Sequence, residues 1–265
     1  MPNKKGKSPL RPAQMSDNSC ALEIFFVRFP FDDPEANIQL WEEVDEQHFP
    51  ARLRKHLASN GFRIGLVGGQ MPITLSRLME LSDKPGPTGE AVTTEAAEMQ
   101  EEPRVVRRQL HSRAGRRNEI VSSGTYEQLP VLIAADGQVG GQIYHQAQAI
   151  WTVKTFPQSD GCVRLELVPE LHYGRPRQRW VGGQGMLRLE AGRPRRVFND
   201  MSTSAVLSPG AMLLMSSLPN RSGSLGHHFF SEEKGRLEQK LMVIRLAQTQ
   251  HDELFSPPEV LDLEK

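Results

Sequence analysis

Cysteine is scarce: Cys20 and Cys162 are the two in a chain of 265 residues. Two cysteines build neither a disulfide framework nor a cysteine-based zinc site, so they are expected as free thiols. Net charge is absent, because 32 Lys+Arg balance 32 Asp+Glu. Nothing therefore pulls the whole chain toward nucleic acid or a membrane surface. No apolar run approaches the ~20 residues of a spanning helix, an exclusion that does not extend to membrane strands. Lys4, Lys5, Lys7 and Arg11 lie among Pro, Gly and Ser, and no apolar stretch follows them. Cys20 is preceded by Asp-Asn-Ser rather than by the small, apolar residues of a lipoprotein cleavage site. As the sequence stands no export signal is expected and the residues read as cytoplasmic; a start upstream with a leader would reverse this.

The organisation expected is α+β. Residues 1–20 read as a disordered basic tail. Residues 21–81 read as a small α/β module. Leu22-Glu-Ile-Phe-Phe-Val-Arg-Phe29 is rich in strand formers and stops at Pro30. Asp32-Asp33-Pro34 is a helix-start signal, and Ile38, Trp41, Val44 and Asp45 at helical spacing predict a helix over 38–47. A second helix carries Leu53 and Leu57, Asn60-Gly61 stops it, a strand spans 62–67, and a third helix spans 72–81. Residues 82–103, with Pro85, Gly86, Pro87, Gly89 and a surplus of acid, are the expected flexible linker and domain boundary. Residues 251–265, with Pro257-Pro258 and alternating acids, read as a tail.

Residues 104–250 are expected to form a mainly antiparallel β domain. Turn signals recur at Ser122-Ser123-Gly124, Asp136-Gly137, Ser159-Asp160-Gly161, Tyr173-Gly174, Gly192-Arg193-Pro194 and Ser208-Pro209-Gly210. Strands are predicted over 129–134, 146–155, 163–169, 186–189, 204–207, 211–215 and 241–246. Ser159-Asp160-Gly161 is the strongest hairpin signal. Residues 218–226 read as a loop, anchored by Phe229 and Phe230, and 231–238 as a charged turn. The entry to this domain is basic: Arg104, Arg107, Arg108, Arg113, Arg116 and Arg117. These six are the candidate contact residues for an acidic partner. Nucleic acid is the weaker partner reading, because no aromatics accompany the arginines for base stacking.

No motif names a reaction. Glu42, Glu43, Asp45, Glu46 and His48 resemble a metal cluster, but a solvated helix face explains them with no further ligand group required. Gly65-x-x-Gly68-Gly69 follows a strand and precedes a helix, yet lacks the Walker Lys-Ser/Thr and the dinucleotide spacing. Gly-Gly-Gln occurs at Gly68, Gly140 and Gly182, and three copies in different contexts argue for glycine turns rather than a catalytic glutamine. His227-His228 on a strand would point to opposite faces, against a shared metal. Glu166 and Glu170 could serve acid/base chemistry, but a solvated strand edge accounts for them. The chain is therefore expected to be non-enzymatic, with no catalytic residues, cofactor or metal.

The closing segment carries a family resemblance. An apolar strand follows Gly210, then come Leu218-Pro219, Leu225-Gly226, Phe229, a charged turn and the apolar strand from Leu241. This order resembles the C-terminal end of the secretin domain, the ring-forming module of bacterial secretion channels. Pro219 to Leu225 is longer than the family's interval, and Ser216-Ser217 stands where the family often has Gly-Gly. Upstream, Trp151-x-Val-x-x-Phe-Pro157, Asp160-Gly161 and Val163-Arg-Leu-Glu-Leu-Val-Pro-Glu170 fit the family's order of strands and turns. The resemblance spans about residues 104–248, and the family's long membrane-crossing hairpins are not obvious in it. It implies a structural or assembly protein of a secretion or envelope system, with protein partners that include other copies of the chain. It also implies an envelope location, and membrane contact through the resemblance alone. The first alternative is a soluble cytoplasmic binding or regulatory module whose contact segment is 104–117, and the last-ranked is an enzyme whose site no motif announces.

Overall fold

The apolar run near the start of the described chain becomes β1 (Ser19–Pro30), with most side chains on both faces buried. Strands covered on both faces read as continuous apolar runs, and this one lies inside a sheet. The computed structural model describes residues 18–80, 104–135, 137–183 and 186–251. The expectations for residues 1–17, 82–103 and 252–265 lie outside these. Residues 18–20 were expected in the tail, but Ser19 and Cys20 already belong to β1.

After β1 the chain makes a π-helical turn, Glu35–Gln39, and a short α1 (Leu40–Glu42). α2 (Ala51–Ser59), β2 (Phe62–Val67) and α3 (Ile73–Glu80) follow. The single helix predicted over 38–47 is cut short after α1. Asp45 is drawn into a two-way backbone pair with Leu66, at 2.8 and 2.9 Å. A pairing partner distant in sequence overrides the helical periodicity.

The remaining strands are β3 (Val105–Arg113), β4 (Asn118–Ala135), β5 (Gln138–Pro157), β6 (Val163–His172), β7 (Arg177–Gly183), β8 (Met186–Gly192) and β9 (Arg195–Val197). They continue with β10 (Thr203–Leu207), β11 (Met212–Ser217), β12 (Ser231–Lys234) and β13 (Arg236–Gln250), and α4 (Leu225–Phe230) lies between β11 and β12. All named strand pairs are antiparallel. The first sheet has the order β2-β11-β13-β1-β3, with β12 beside β13; the second has β10-β6-β5-β4, with β9 beside β6. β7 and β8 pair with each other. The boundary expected at 82–103 thus separates two stretches of sequence but not two sheets: β1 and β2 share one sheet with β11 and β13.

The two sheets face each other across one core. Leu22, Ile24 and Phe26 of β1 and Met242, Ile244 and Leu246 of β13 meet Trp151, Val153, Leu165 and Leu167 of the second sheet. The opposite face of the first sheet carries Val27, Leu214, Leu241 and Val243, which pack against Ala36, Leu40, Trp41, Leu75 and Leu78 of the helical segments. The result is a helical layer, a sheet and a second sheet.

The closing segment supplies the centre of this core. The loop predicted over 218–226 ends in a helix, because α4 begins at Leu225. Ser224 caps α4, its hydroxyl accepting from the backbone N–H of His227 at 3.3 Å. Phe229 and Phe230 are fully buried, and Phe229 meets Phe62 and Trp151 edge-on at ring-centroid distances of 5.3 Å each. Gly226 N–H donates to the Asn60 carbonyl at 2.8 Å, and a Cβ at position 226 would stand 2.2 Å from the Gly61 carbonyl oxygen. Only glycine permits that approach. The charged turn expected at 231–238 is the hairpin β12–β13, which turns at Gly235 with φ +77°.

β4 and β5 form a long hairpin, paired from Asn118↔Val153 to Ala135↔Gln138. Its distal half is held by Asn60, which is fully buried. The Asn60 side-chain amide donates to the Ala134 carbonyl and accepts from the Ala134 N–H, each at 2.9 Å. Leu132 N–H donates to the Gly223 carbonyl, also at 2.9 Å.

Candidate functional site

The six arginines predicted as contact residues are not equivalent. Arg107 and Arg117 are committed to internal carboxylates. Arg107 on β3 and Arg245 on β13 flank Glu23 on β1, because Glu23 pairs in register with both Gln109 and Arg245. Glu23 is buried, and its two carboxylate oxygens accept from Arg107 and from Arg245. Burial would raise the Glu23 pKa, but the hydrogen bonds and charges of Arg245 and Arg107 bring it below the ordinary glutamate value. Both guanidiniums also lie 5.8 Å from the ring of Phe25.

Arg117 reaches across the outer face of the second sheet. It donates to Glu170 at 2.7 Å and Thr152 at 3.2 Å, and pairs with Glu119. Glu170 also accepts from Thr152 at 2.7 Å and contacts His172 at 2.9 Å, with Arg195 at 4.0 Å. Burial opposes ionisation of Glu170, yet His172, Thr152, Arg117 and Arg195 overcome it and hold the pKa at about 2. The sequence offered Glu170 as a strand-edge carboxylate. The structure instead buries it, because Ile150 and Val197 flank it on the neighbouring strands. A glutamate so fully paired is a fixed anion rather than a poised acid or base.

Arg104, Arg108, Arg113 and Arg116 form no ion pair among the described residues. Arg108 lies with its guanidinium 5.6 Å from the Phe26 ring. β3 is the last strand of the first sheet, so Arg108 and Arg113 lie on a sheet edge, with Arg104 just before it and Arg116 in the turn after it.

The other candidates resolve into structural roles. Glu43 accepts from Thr74 at 2.6 Å and from Ile73 N–H at 3.3 Å, capping α3. Glu46 accepts from Arg63 at 2.6 Å, and Asp45 accepts from the N–H groups of Gln47 and His48. Among the described residues no group of His, Cys, Asp and Glu is arranged to hold a metal. His227 and His228 lie on α4, not on a strand, with ring centroids 5.4 Å apart. His228 contacts the Pro130 carbonyl at 2.9 Å, while the Nδ1 of His227 is buried without a partner. Burial lowers the pKa of both, and His228 is lowered further by His227. Cys20 and Cys162 are both free thiols, and burial raises both pKa values.

A shallow depression of about 520 Å³ is lined by Glu127, Gln128, His145, Gln146, Gly174 and Arg175. Its wall is fixed by Arg193, which donates to the carbonyls of Gly174 and Gln146. It contains no nucleophile–base pair.

Sequence reasoning missed one surface. The hairpin face turned away from the core carries Leu132, Val139 and Ile143, exposed by 47, 67 and 61%. The register Pro130↔Ile143, Leu132↔Gly141 and Ala134↔Val139 puts them on one side. The signal was the continuous apolar run Leu129–Ala135, with Val139 and Ile143 across Asp136-Gly137. Compared with protein-family models, curated proteins and solved structures, the chain gives no match.

Proposed function

We propose that this chain is a non-enzymatic, secretin-like assembly protein of a bacterial secretion or envelope system, acting by self-association. The observation that carries this reading is the outward apolar face of the β4–β5 hairpin. Scattered exposed apolar residues need no explanation, but a contiguous apolar face on a paired sheet marks a surface that is covered in use. Leu132, Val139 and Ile143 lie on such a face, continued by Pro130 and Ala134 on the same side of β4.

Two further observations support it. Leu225, Gly226 and Phe229, three of the residues that carry the secretin resemblance, are buried where α4 fills the sandwich, while Leu218 and Pro219 are half-buried. The buried carboxylates Glu23 and Glu170 are each neutralised by two arginines, which suits a rigid scaffold better than proton transfer. The measurement is the solution mass of the purified chain by light scattering, with and without mild detergent. A large species that survives detergent is expected. A monodisperse single chain at all concentrations sinks the self-association.

A further inference from the structure

We propose that the free edge of β3 accepts an acidic, extended segment of a partner protein as an added antiparallel strand. β3 pairs with β1 along its whole length, from Val27↔Val105 to Ser19↔Arg113. Among the described residues no strand pairs with its other side. Alternate backbone N–H and C=O groups along 106–111 therefore face outward, a template for another chain.

The side chains define what fits. Val106, Arg108 and Leu110 lie on the core side of β3, opposite Phe26, Ile24 and Leu22, while Arg107 and Gln109 lie on the other side. Arg108 meets no carboxylate among the described residues, and Arg107 shares the single anion Glu23 with Arg245. Positive charge is thus left on both faces of the edge. The rings of Phe25 and Phe26 lie beneath these guanidiniums. An incoming strand is complementary when consecutive acids oppose Arg107 and Arg108 and apolar residues oppose Val106 and Leu110.

The same charges exclude a second copy of β3, because antiparallel self-pairing about this point would set arginine against arginine. The inference is therefore independent of the assembly reading. Single-stranded nucleic acid is the less suited ligand, since Phe25 and Phe26 are covered by the arginines and offer no face for stacking.

The test is fluorescence anisotropy of a labelled acetyl-Thr-Val-Thr-Glu-Glu-Val-Thr-amide peptide titrated with the full chain at fixed salt. Its mass is followed in parallel, so a failure of assembly and a failure of edge binding are read separately. Saturable binding is expected, weakened at least about tenfold by Arg108→Glu, as when an attractive pair becomes a like-charge pair. Arg108 is exposed, so this variant should melt with the wild type. A peptide with Lys in both Glu positions should prefer the Arg108→Glu chain. A peptide with Pro in place of its central Thr should not bind, because it cannot complete the ladder. Absence of binding overturns the proposal. Equal binding of the Pro peptide overturns it in favour of charge alone. Tighter binding of oligothymidylate, lost on Arg108→Glu, overturns it in favour of nucleic acid.

Discussion

Replacing Gly226 by alanine should damage the fold although it adds a single methyl group. The new Cβ would lie 2.2 Å from the Gly61 oxygen, 2.3 Å from its carbonyl carbon and 2.8 Å from the Phe62 nitrogen. All three are backbone atoms and cannot rotate aside. α4 must back away, which strains the 2.8 Å bond from Gly226 N–H to the Asn60 carbonyl. Overpacking costs ~1–3 kcal/mol, and a weakened buried hydrogen bond adds ~1 kcal/mol. The combined loss is about 3 kcal/mol. At ~2–4 °C per kcal/mol for a chain of this size, the melting temperature should fall by ~6–12 °C. Circular dichroism melting and urea midpoints give both numbers. Gly68→Ala is the matched control, because nothing lies within 4 Å of its added Cβ, and it should stay within ~0.5 kcal/mol of wild type. If Gly226→Ala and Gly68→Ala behave alike, the packing explanation of the Leu-Gly motif is wrong.

Asn60→Ala removes both amide bonds to Ala134 and should cost ~2–4 kcal/mol. Hydrogen exchange at the Ala134 amide should quicken, and unchanged exchange there would mean that the hairpin is docked by other contacts. Glu170 titrates at about 2 in the fold, below its ordinary value of 4.5. Its contribution is therefore complete above that ordinary value and is lost as pH falls toward the folded one. Glu170→Gln should cost ~2 kcal/mol at neutral pH, allowing for the half-exposed arginines. The gap in urea midpoints should close on acidification, and a gap independent of pH would refute the ion-cluster account. His227 is the opposite chemical case with the same sign. Burial keeps it neutral in the fold while the unfolded chain protonates near 6.5, so its stabilisation is complete above that value and declines below it. His227→Phe should flatten the loss of stability as pH falls below 6.5, and an unaltered slope would place that loss elsewhere.

The local patterns were legible where each strand's own residues decide its state. β1 ends at Pro30, β2 is the strand expected over 62–67, and β6 alternates as Val163, Leu165 and Leu167 require. The helix over 38–47 was misread because its end is set by Leu66, a residue distant in sequence. β4 was read only over its apolar half. Its first half lacks an apolar run because the buried positions there include Ser122 and Ser123, whose hydroxyls bond the Phe229 carbonyl and the Ala149 N–H, and because the register shifts between Val121 and Thr125. α4 was hidden by its glycine and serine neighbours. Its Ser224 cap was visible, but its packing on Asn60-Gly61 was not. Of the six arginines, the sequence showed the basic run but not its division. Glu23 and Glu170, which claim Arg107 and Arg117, become neighbours only when the strands pair. The sheet order, with β1 between β13 and β3, is likewise non-local and leaves no periodic trace.

The central claim is that the chain assembles through the outer face of the β4–β5 hairpin. Static light scattering on the wild type and on the Val139→Lys/Ile143→Lys double variant, in one mild detergent and at one concentration, tests it most directly. Both positions are exposed, so the variant should fold as the wild type does. The account predicts a multimer for the wild type and the single-chain mass of 29.8 kDa for the variant. Equal masses for the two proteins, whether large or small, would contradict it.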